Sequence, residues 1–344
     1  MTSTDGAHET YGVLLMTFGS PATLDDVPAY MASVRGGRPA SEEVVQEFRR
    51  RYALIGGSPL LEITRAQAAA LEKTLNESVS ASGNGHLGQA KRFRVSVGMR
   101  HAPPFIKEGL ASLVESGAQR VGAIIMSPQY SPIIMGGYHR ALDAARQEVN
   151  ADVGVAGAWH RHPGFLDALA QRVREALQRF PSGVRDRVPV ILTAHSLPQS
   201  VVDREPEYLE QLQETVRAIV ERVGLRPKQW QFAYQSAGHT PEEWLKPDFK
   251  DLLPGLAAAG HRHVLFVPTQ FLADHLEILY DIDIAAREEA EEHGITFHRI
   301  ESLNCSPTFI EALADIARAT LGLQGSTDVA APGRAGNVVT AVRA

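Results

Sequence analysis

The chain has 344 residues and 44% hydrophobic residues, which corresponds to a globular protein of two ordinary domains. Its net charge of −6 argues against a global attraction to nucleic acid, and its single cysteine, Cys305, excludes an intramolecular disulfide and an iron–sulfur cluster held by four thiolates. Residues 1–10 are polar and no apolar run approaches the roughly 18 residues of a membrane span, so we expect a cytoplasmic protein without an integral membrane segment.

Short apolar runs alternate with stretches of helical periodicity along the chain. In the first half, the pattern predicts in chain order a strand at 11–18, helices at 24–33, 42–52 and 60–75, a strand at 94–98, a helix at 104–116, a strand at 121–127, a helix at 138–149 and a strand at 153–159. The second half continues with a helix at 164–179, a strand at 188–194, a helix at 206–223, a strand at 231–234, a helix at 248–259, a strand at 263–267, a helix at 274–292, a strand at 296–300 and a helix at 308–321. Residues 78–91 are predicted to form a surface loop, and residues 324–344 a disordered tail.

This alternation predicts an α/β protein with parallel, doubly wound sheets. We expect two similar Rossmann-like domains at 11–150 and 151–322, each with a four-stranded parallel sheet and helices on both faces, and a cleft between them. Residues 13–21 align with residues 190–198, since in both a strand runs into a turn that contains a proline. The alignment places Phe18 and His195 at equivalent strand ends, where open α/β sheets bind ligands.

The usual cofactor and hydrolase fingerprints are missing from this α/β pattern. There is no G-x-G-x-x-G after the first strand and no phosphate-binding G-x-x-x-x-G-K-[ST]. There is also no H-E-x-x-H and no G-x-S-x-G. Nucleotide binding, zinc proteolysis and serine hydrolysis by these devices are therefore not expected.

His195 directly follows a buried strand, in the sequence Ala-His-Ser-Leu-Pro. A neutral imidazole at this place could bind a metal ion or accept a proton. It could equally cap the strand through a bond to the backbone, and its position alone leaves both interpretations open.

An acidic stripe after the strand at 263–267 is a second candidate. If 274–292 is helical, Asp274, Glu277 and Asp281 lie on one face. Carboxylates in a row suit a divalent cation, although such a stripe can also be a solvated face, as residues 288–292 are expected to be. Because His195 and Glu277 both follow strands of the second half, they could meet in the cleft, where imidazole and carboxylate would suit Fe²⁺.

A third group consists of basic and polar residues in loops or at strand ends, and it suits a ligand that carries carboxylates. Its members are Arg35, Arg38, Ser58, Gln67, Arg100, His101, Tyr138, Arg140 and Ser236. Each of them, taken singly, is also compatible with an ordinary surface position. The three arginines at 49–51 are expected on a solvated helix face, and the apolar residues 132–135 could form either a wall for a flat ring or part of the core.

At these residues the chain resembles the ferrochelatase family, over about residues 11–322. The motifs that carry the resemblance are MTFGSP at 16–21, RGGRP at 35–39, RY at 51–52 with IGGSPL at 55–60, GMRH at 98–101, AHSLP at 194–198, QS at 235–236, HTP at 239–241, WL at 244–245, DHLE at 274–277 with YD at 280–281, and LN at 303–304 with Pro307 and FI at 309–310. No single motif is specific, whereas their ordered combination is. The resemblance is greatest to the soluble coproporphyrin III ferrochelatases.

The resemblance implies a chelatase fold and a lyase that inserts Fe²⁺ into a porphyrin in haem biosynthesis, with coproporphyrin III as the expected porphyrin. Iron would be a substrate, and no tightly bound cofactor and no iron–sulfur cluster are expected. It implies that His195 and Glu277 form the catalytic and metal site, and that Asp274 and Asp281 belong to a secondary acidic path. It further implies porphyrin contacts by Phe18, Arg35, Ser58, Gln67, Arg100, Tyr138 and Ser236.

Two residues depart from the family pattern. Phe18 stands where this branch usually has tyrosine, and Ala285 stands where the acidic path usually continues. The alternatives are a protoporphyrin IX ferrochelatase, a cobalt chelatase acting on a sirohydrochlorin-like ring, and a non-catalytic haem- or porphyrin-binding protein. We expect a monomer that makes transient contacts with enzymes of the haem pathway.

Overall fold

A computed structural model describes residues 9–81, 91–238 and 241–323. The strands in these ranges are β1 (Glu9–Thr17), β2 (Lys91–Met99), β3 (Arg120–Ile125), β4 (Asp152–Val155), β5 (Val190–His195), β6 (Trp230–Gln235), β7 (His263–Pro268) and β8 (Thr296–Arg299). The α-helices are α1 (Val27–Val34), α2 (Glu42–Leu54), α3 (Leu60–Ala81), α4 (Ile106–Glu115), α5 (Pro132–Val149), α6 (Pro163–Gln178), α7 (Ser182–Arg185), α8 (Gln199–Val202), α9 (Pro206–Val223), α10 (Phe249–Ala258), α11 (Leu276–Leu279), α12 (Arg287–Glu292) and α13 (Pro307–Thr320). A 3-10 turn precedes α1 at Leu24–Asp26, and a π-helical turn at Asp281–Ala286 lies between α11 and α12.

The strands form two parallel sheets of the same topology. The order is β2-β1-β3-β4 in the first sheet and β6-β5-β7-β8 in the second. The pairing is in continuous register, so that Leu15 of β1 lies opposite Val97 of β2 and Ile124 of β3. The predicted α/β class with four-stranded parallel sheets is confirmed. Phe18, which follows β1, and His195, which ends β5, occupy equivalent places in the two halves.

Helices cover both faces of each sheet, because neighbouring strand residues point to opposite faces and both sets are apolar. In β1, Leu14 and Met16 pack with α4 and α5 on one face. Val13 and Leu15 belong to a second core on the other face, which continues through α3, α6, α9 and α13 into the second sheet. The two halves are therefore joined by one apolar core that both sheets share.

The boundary between the halves differs from the predicted one after residue 150. β4 is hydrogen-bonded to β3 and completes the first sheet, since strand pairing and not local composition decides where so short a strand belongs. At the far end, α13 packs on α6 and also on α3 and β3 of the first half. Gly122 of β3 leaves room for this packing, because a Cβ there would lie 3.2 Å from the side chain of Leu321.

The helix predicted at 138–149 begins earlier than expected. Pro132 fits the first turn of α5, where its missing N–H is not needed, and Ser131 Oγ accepts a hydrogen bond from the N–H of Ile134 at 3.1 Å. The strand predicted at 153–159 ends already at Val155.

The predicted bounds of the loop at 78–91 are wrong at both ends. α3 continues through Ala81, and β2 begins at Lys91. Residues 82–90 between them lie outside the described residues, as does the tail predicted at 324–344. Within the three described ranges, no helix combines the length and the apolar character that a bilayer span requires.

Candidate active site

A cavity of about 930 Å³ lies between the two halves. Its walls include residues that end or follow β1, β3, β5, β6 and β7, so it lies at the carboxyl ends of strands from both sheets. The lining is mostly apolar and aromatic with a few charged groups, which is typical of sites for organic ligands. The candidate residues were predicted at these same carboxyl ends of the strands.

His195 and Glu277 face each other in this cavity. His195 Nε2 lies 3.5 Å from Oε2 of Glu277. His195 Nδ1 is hydrogen-bonded to the backbone carbonyl of Ser196, and because a carbonyl only accepts, Nδ1 must carry the proton. When the imidazole is neutral, its lone pair therefore lies on Nε2, on the side of Glu277. Together the two groups can accept protons or bind a metal ion.

Gln270 and Tyr208 hold the backbone of His195, although no sequence pattern singled them out. The N–H of His195 donates to Gln270 Oε1 at 3.0 Å, and the amide of Gln270 donates to the phenol oxygen of Tyr208. Burial raises the pKa of Tyr208, so that this phenol stays neutral. A sequence gives no signal for such a contact, because Tyr208 has the spacing of an ordinary core position on α9.

Asp281 also lines the cavity, and Ser236 Oγ donates to its Oδ2 at 2.5 Å. Burial raises the pKa of Asp281, the hydrogen bond from Ser236 opposes this rise, and the charge of Glu277 adds to it. Ser236 directly follows β6 and has a φ of 58°, a left-handed conformation that costs energy for a residue other than glycine. The backbone is thus held in a strained conformation where the serine hydroxyl meets the carboxylate.

The prediction of one continuous helix over 274–292 is wrong. The helix begins only at Leu276, and α11 ends after one turn. The N–H of Ala285 then bonds to the carbonyl of Tyr280, five residues back, at 2.9 Å, which is the π-helical pattern. Ala285 lines the cavity, so an apolar methyl group stands on the wall that carries Asp281.

Asp274 therefore does not share a helix face with Glu277, which corrects the predicted stripe, and its part in an acidic path stays a prediction. It precedes the first helical residue, and its carboxylate accepts hydrogen bonds from Ser302 Oγ at 2.7 Å and from Asn304 Nδ2 at 2.9 Å. These partners belong to the loop after β8. Asp274 connects two loops and is not among the residues that line the cavity.

Phe18, Arg100 and Tyr138 lie on the wall formed by the first half. The ring centre of Phe18 lies 4.5 Å from that of His101, and the phenylalanine is 41% exposed. Arg100 Cζ lies 5.6 Å from the ring centre of Tyr138, within the range of a cation–π contact. Gly137 makes this possible, because a Cβ at that position would lie 2.0 Å from Arg100 Cζ.

Of the remaining predicted porphyrin contacts, the structure brings Gln67 to the cavity and leaves two outside it. Gln67 is buried, and its Nε2 donates to the carbonyl of Asn304 at 2.9 Å. Arg35 is exposed directly after α1 and does not line the cavity. Ser58 Oγ accepts from the N–H of Leu60, so this hydroxyl serves the start of α3. Both sit in turns that end or start a helix, and the turn determines where their side chains lie.

Tyr30 and Tyr52 also line the cavity, although Tyr30 belongs to no predicted motif and Tyr52 stood only in the RY motif at 51–52, without a predicted role. The hydroxyl of Tyr30 donates to the carbonyl of Gly19 at 3.3 Å, and that of Tyr52 accepts from Ser20 Oγ at 3.4 Å. Burial raises the pKa of both phenols, and the charge of Glu277 raises each of them further. Two neutral phenols of the first half are thus within electrostatic reach of Glu277.

Arg51, expected on a solvated helix face, is a wall residue of the cavity. Its Cζ lies 4.9 Å from the ring centre of Tyr280, and its Nε forms an ion pair with Glu47 at 2.8 Å. The interpretation failed because Tyr280, which comes from the second half, covers this side of α2.

Among the described residues, no group of three or more His, Cys, Asp or Glu is placed to hold a metal ion, so the His195–Glu277 pair offers two ligands.

Comparisons with known proteins agree with the resemblance. A family model described as Ferrochelatase matches residues 10–321. The ferrochelatase of Deinococcus radiodurans is 39% identical over 308 residues, which cover 89% of this chain and 94% of that protein. The coproporphyrin III ferrochelatase of Geobacillus sp. (strain WCH70) is 34% identical over 313 residues, which cover 90% and 97%. Among solved structures, SirB from Bacillus subtilis with Fe³⁺ has a TM-score of 0.51 at 11% identity and covers 91% of this chain and 95% of that one, a likeness of fold alone.

Proposed function

The chain belongs to the ferrochelatase family, and from this membership we propose that it inserts Fe²⁺ into coproporphyrin III with His195 and Glu277 as the reacting pair. Membership makes it a metal chelatase that inserts iron into a porphyrin in haem biosynthesis. The choice of porphyrin and the roles of the residues are the proposed part. The observation that carries them is the approach of His195 Nε2 to the Glu277 carboxylate, 3.5 Å apart, inside the cavity between the halves.

Metal insertion replaces two pyrrole protons by one Fe²⁺, so the site must accept two protons and present the metal to one face of the ring. In the proposed reaction His195 Nε2, which carries the lone pair, accepts a pyrrole proton, and the resulting imidazolium is stabilised by the carboxylate of Glu277. Glu277 takes the second proton or passes it towards Asp281. The ring nitrogens supply the remaining ligands of the iron.

Coproporphyrin III carries four propionates, and their binding energy can be used to distort the ring and expose its nitrogen lone pairs. Arg100 is suited to hold one of these carboxylates. Its guanidinium lies on the cavity wall against the ring of Tyr138, and no ion pair to a carboxylate is found for it among the described residues. Phe18 and Tyr138 offer aromatic surface to the ring, and Gln67 and Ser236 contribute polar groups to the same walls.

The test is iron insertion by the purified protein under anaerobic conditions, followed by absorbance, with coproporphyrin III and protoporphyrin IX compared at equal concentrations. We expect the higher kcat/KM with coproporphyrin III. A preference for protoporphyrin IX would favour the alternative ferrochelatase, and binding of porphyrin without multiple turnovers would favour a non-catalytic carrier.

The same assay tests the two residues. His195→Ala and Glu277→Ala are each expected to lower kcat by about 10²- to 10⁴-fold, the usual contribution of a general acid or base, with unchanged circular dichroism. Glu288→Gln, an exposed carboxylate on α12, is the matched control and should leave turnover unchanged. Near-normal turnover of either alanine variant would contradict the assignment.

The remaining parts of the proposal concern the setting of the enzyme. We propose a cytoplasmic monomer that exchanges porphyrin through transient contacts with enzymes of the haem pathway, with Fe²⁺ as a substrate and no tightly bound cofactor. Its single cysteine is consistent with the lack of a four-thiolate iron–sulfur cluster. Sedimentation at micromolar concentration tests the monomer.

A further inference from the structure

The carboxylate of Glu277 is not held in place by hydrogen bonds of its own. Among the described residues, Glu277 Oε2 is buried without a hydrogen-bond partner, and His195 Nε2 lies 3.5 Å from it. Glu277 lies in α11, a helix of four residues without a side-chain cap, and so short a helix is not stable by itself. The position of Glu277 therefore depends on the core packing of its neighbour Ile278 and on the segments on either side of α11.

Arg299, the last residue of β8, contacts both of these segments. Its Nε and Nη2 donate to the two carboxylate oxygens of Asp283, at 2.7 and 2.8 Å, in a bidentate pair. Its Nη1 lies 3.3 Å from Oδ1 of Asp274. Asp274 precedes Glu277 and Asp283 follows it, so one guanidinium spans the segment 274–283 and fixes both of its ends to the second sheet.

Arg299 forms its ion pairs with Asp274 and Asp283 in a largely buried environment. The side chain is 13% exposed, and Nη1 also donates to the carbonyl of Ile300 at 3.0 Å and to Ser302 Oγ at 3.2 Å. Solvent therefore screens the pair with Asp283 only in part. Removal of the guanidinium would leave Asp274 and Asp283, two half-buried carboxylates, without their cation.

We propose that Arg299 is a positioning residue for Glu277: it holds the segment 274–283 against the end of β8, so that the Glu277 carboxylate stays within reach of His195. Arg299 does not line the cavity; it lies in a separate groove with Arg179 and Glu301. It acts on the reaction only through the segment that it holds. A displacement of about 1 Å at a reacting group can cost on the order of 100-fold in rate, which gives this role a large effect on kcat.

The experiment compares Arg299→Met and Arg299→Lys with the parent enzyme. It measures kcat for iron insertion and, separately, the Kd of coproporphyrin III by fluorescence without iron. We expect Arg299→Met to lower kcat by about 10- to 100-fold while the Kd changes by no more than about twofold. Arg299→Lys restores the charge but not the bidentate geometry, so its kcat should lie between those of Arg299→Met and the parent. The matched control is Arg179→Gln in the same groove, where the arginine is exposed and pairs with Glu301, and it should retain the parent kcat.

The outcomes separate a positioning role from a general structural one. A kcat of Arg299→Met equal to that of Arg179→Gln would overturn the proposal, as would a loss of porphyrin binding in parallel with turnover. If Arg299→Met does not fold, Arg299→Lys and Asp283→Asn decide: a lower kcat at unchanged Kd supports the proposal, and parent kcat in both overturns it. The inference rests on the proposed role of Glu277, so Glu277→Gln is measured alongside. Full turnover of Glu277→Gln would refute the proposed site, whereas its loss together with normal turnover of the Arg299 variants would refute only the positioning role.

Discussion

Substitution of Gly137 by alanine tests whether Arg100 binds a carboxylate of the substrate. The added Cβ would lie 2.0 Å from Arg100 Cζ, and ordinary contact begins at 3.4 Å, so the guanidinium must move by at least about 1.4 Å. A hydrogen bond to a charged group contributes about 1.5–3 kcal/mol and does not survive such a shift. Since 1.4 kcal/mol corresponds to a factor of ten, the Kd of coproporphyrin III should rise by about 10- to 100-fold.

The assay is a fluorescence titration of coproporphyrin III with the purified variant, repeated with the tetramethyl ester, which lacks the carboxylates. Gly136→Ala is the matched control, because a Cβ there meets only the flexible end of Arg140, at 3.2 Å. Both substitutions raise helix propensity by up to about 1 kcal/mol, so a difference between them cannot come from the helix backbone. Gly137→Ala should bind the ester as the parent does. If it also binds the free acid as tightly as Gly136→Ala does, Arg100 is not an anchor for the porphyrin.

Two further predictions concern Asp281 and Glu205. Burial raises the folded-state pKa of Asp281 above its unfolded value, so its contribution to stability is present below the unfolded pKa and is lost as the pH rises through the folded one. Asp281→Asn should therefore gain stability relative to the parent as the pH rises above the ordinary carboxyl pKa of about 4 in thermal melts, and a difference that is constant with pH would contradict this. Glu205, just before α9, accepts hydrogen bonds from the hydroxyl of Ser131 and from the N–H of Ile133 at 2.8 Å, and so fixes the first turn of α5 at the cavity wall. Glu205→Ala removes both acceptors at a cost of about 1 kcal/mol each and should raise the KM for porphyrin several-fold at constant kcat, whereas an unchanged KM would refute this role.

The main errors of the sequence-based predictions lie in the segment that carries Glu277. Helical periodicity over 274–292 assumes 3.6 residues per turn throughout, and the late start at Leu276 and the π-helical turn break this assumption. The glutamate nevertheless reached the cavity, because its place depends on the strand end before it and not on the helix face. Asp274 did not, because its carboxylate is engaged by Asn304, a residue far along the chain.

The order of strands and helices, the parallel sheets, the strand end that carries His195 and the place of Glu277 after β7 follow from the sequence, because alternating apolar runs and turn residues act locally. The tertiary structure alone decided which distant groups meet: Gln270 and Tyr208 behind His195, and Arg299 across the Glu277 segment. Such pairs depend on side-chain directions and on the packing of helices on the shared core. Side-chain directions and helix packing depend on residues that are far apart in the chain. The spacing and composition of one stretch of sequence therefore do not predict them.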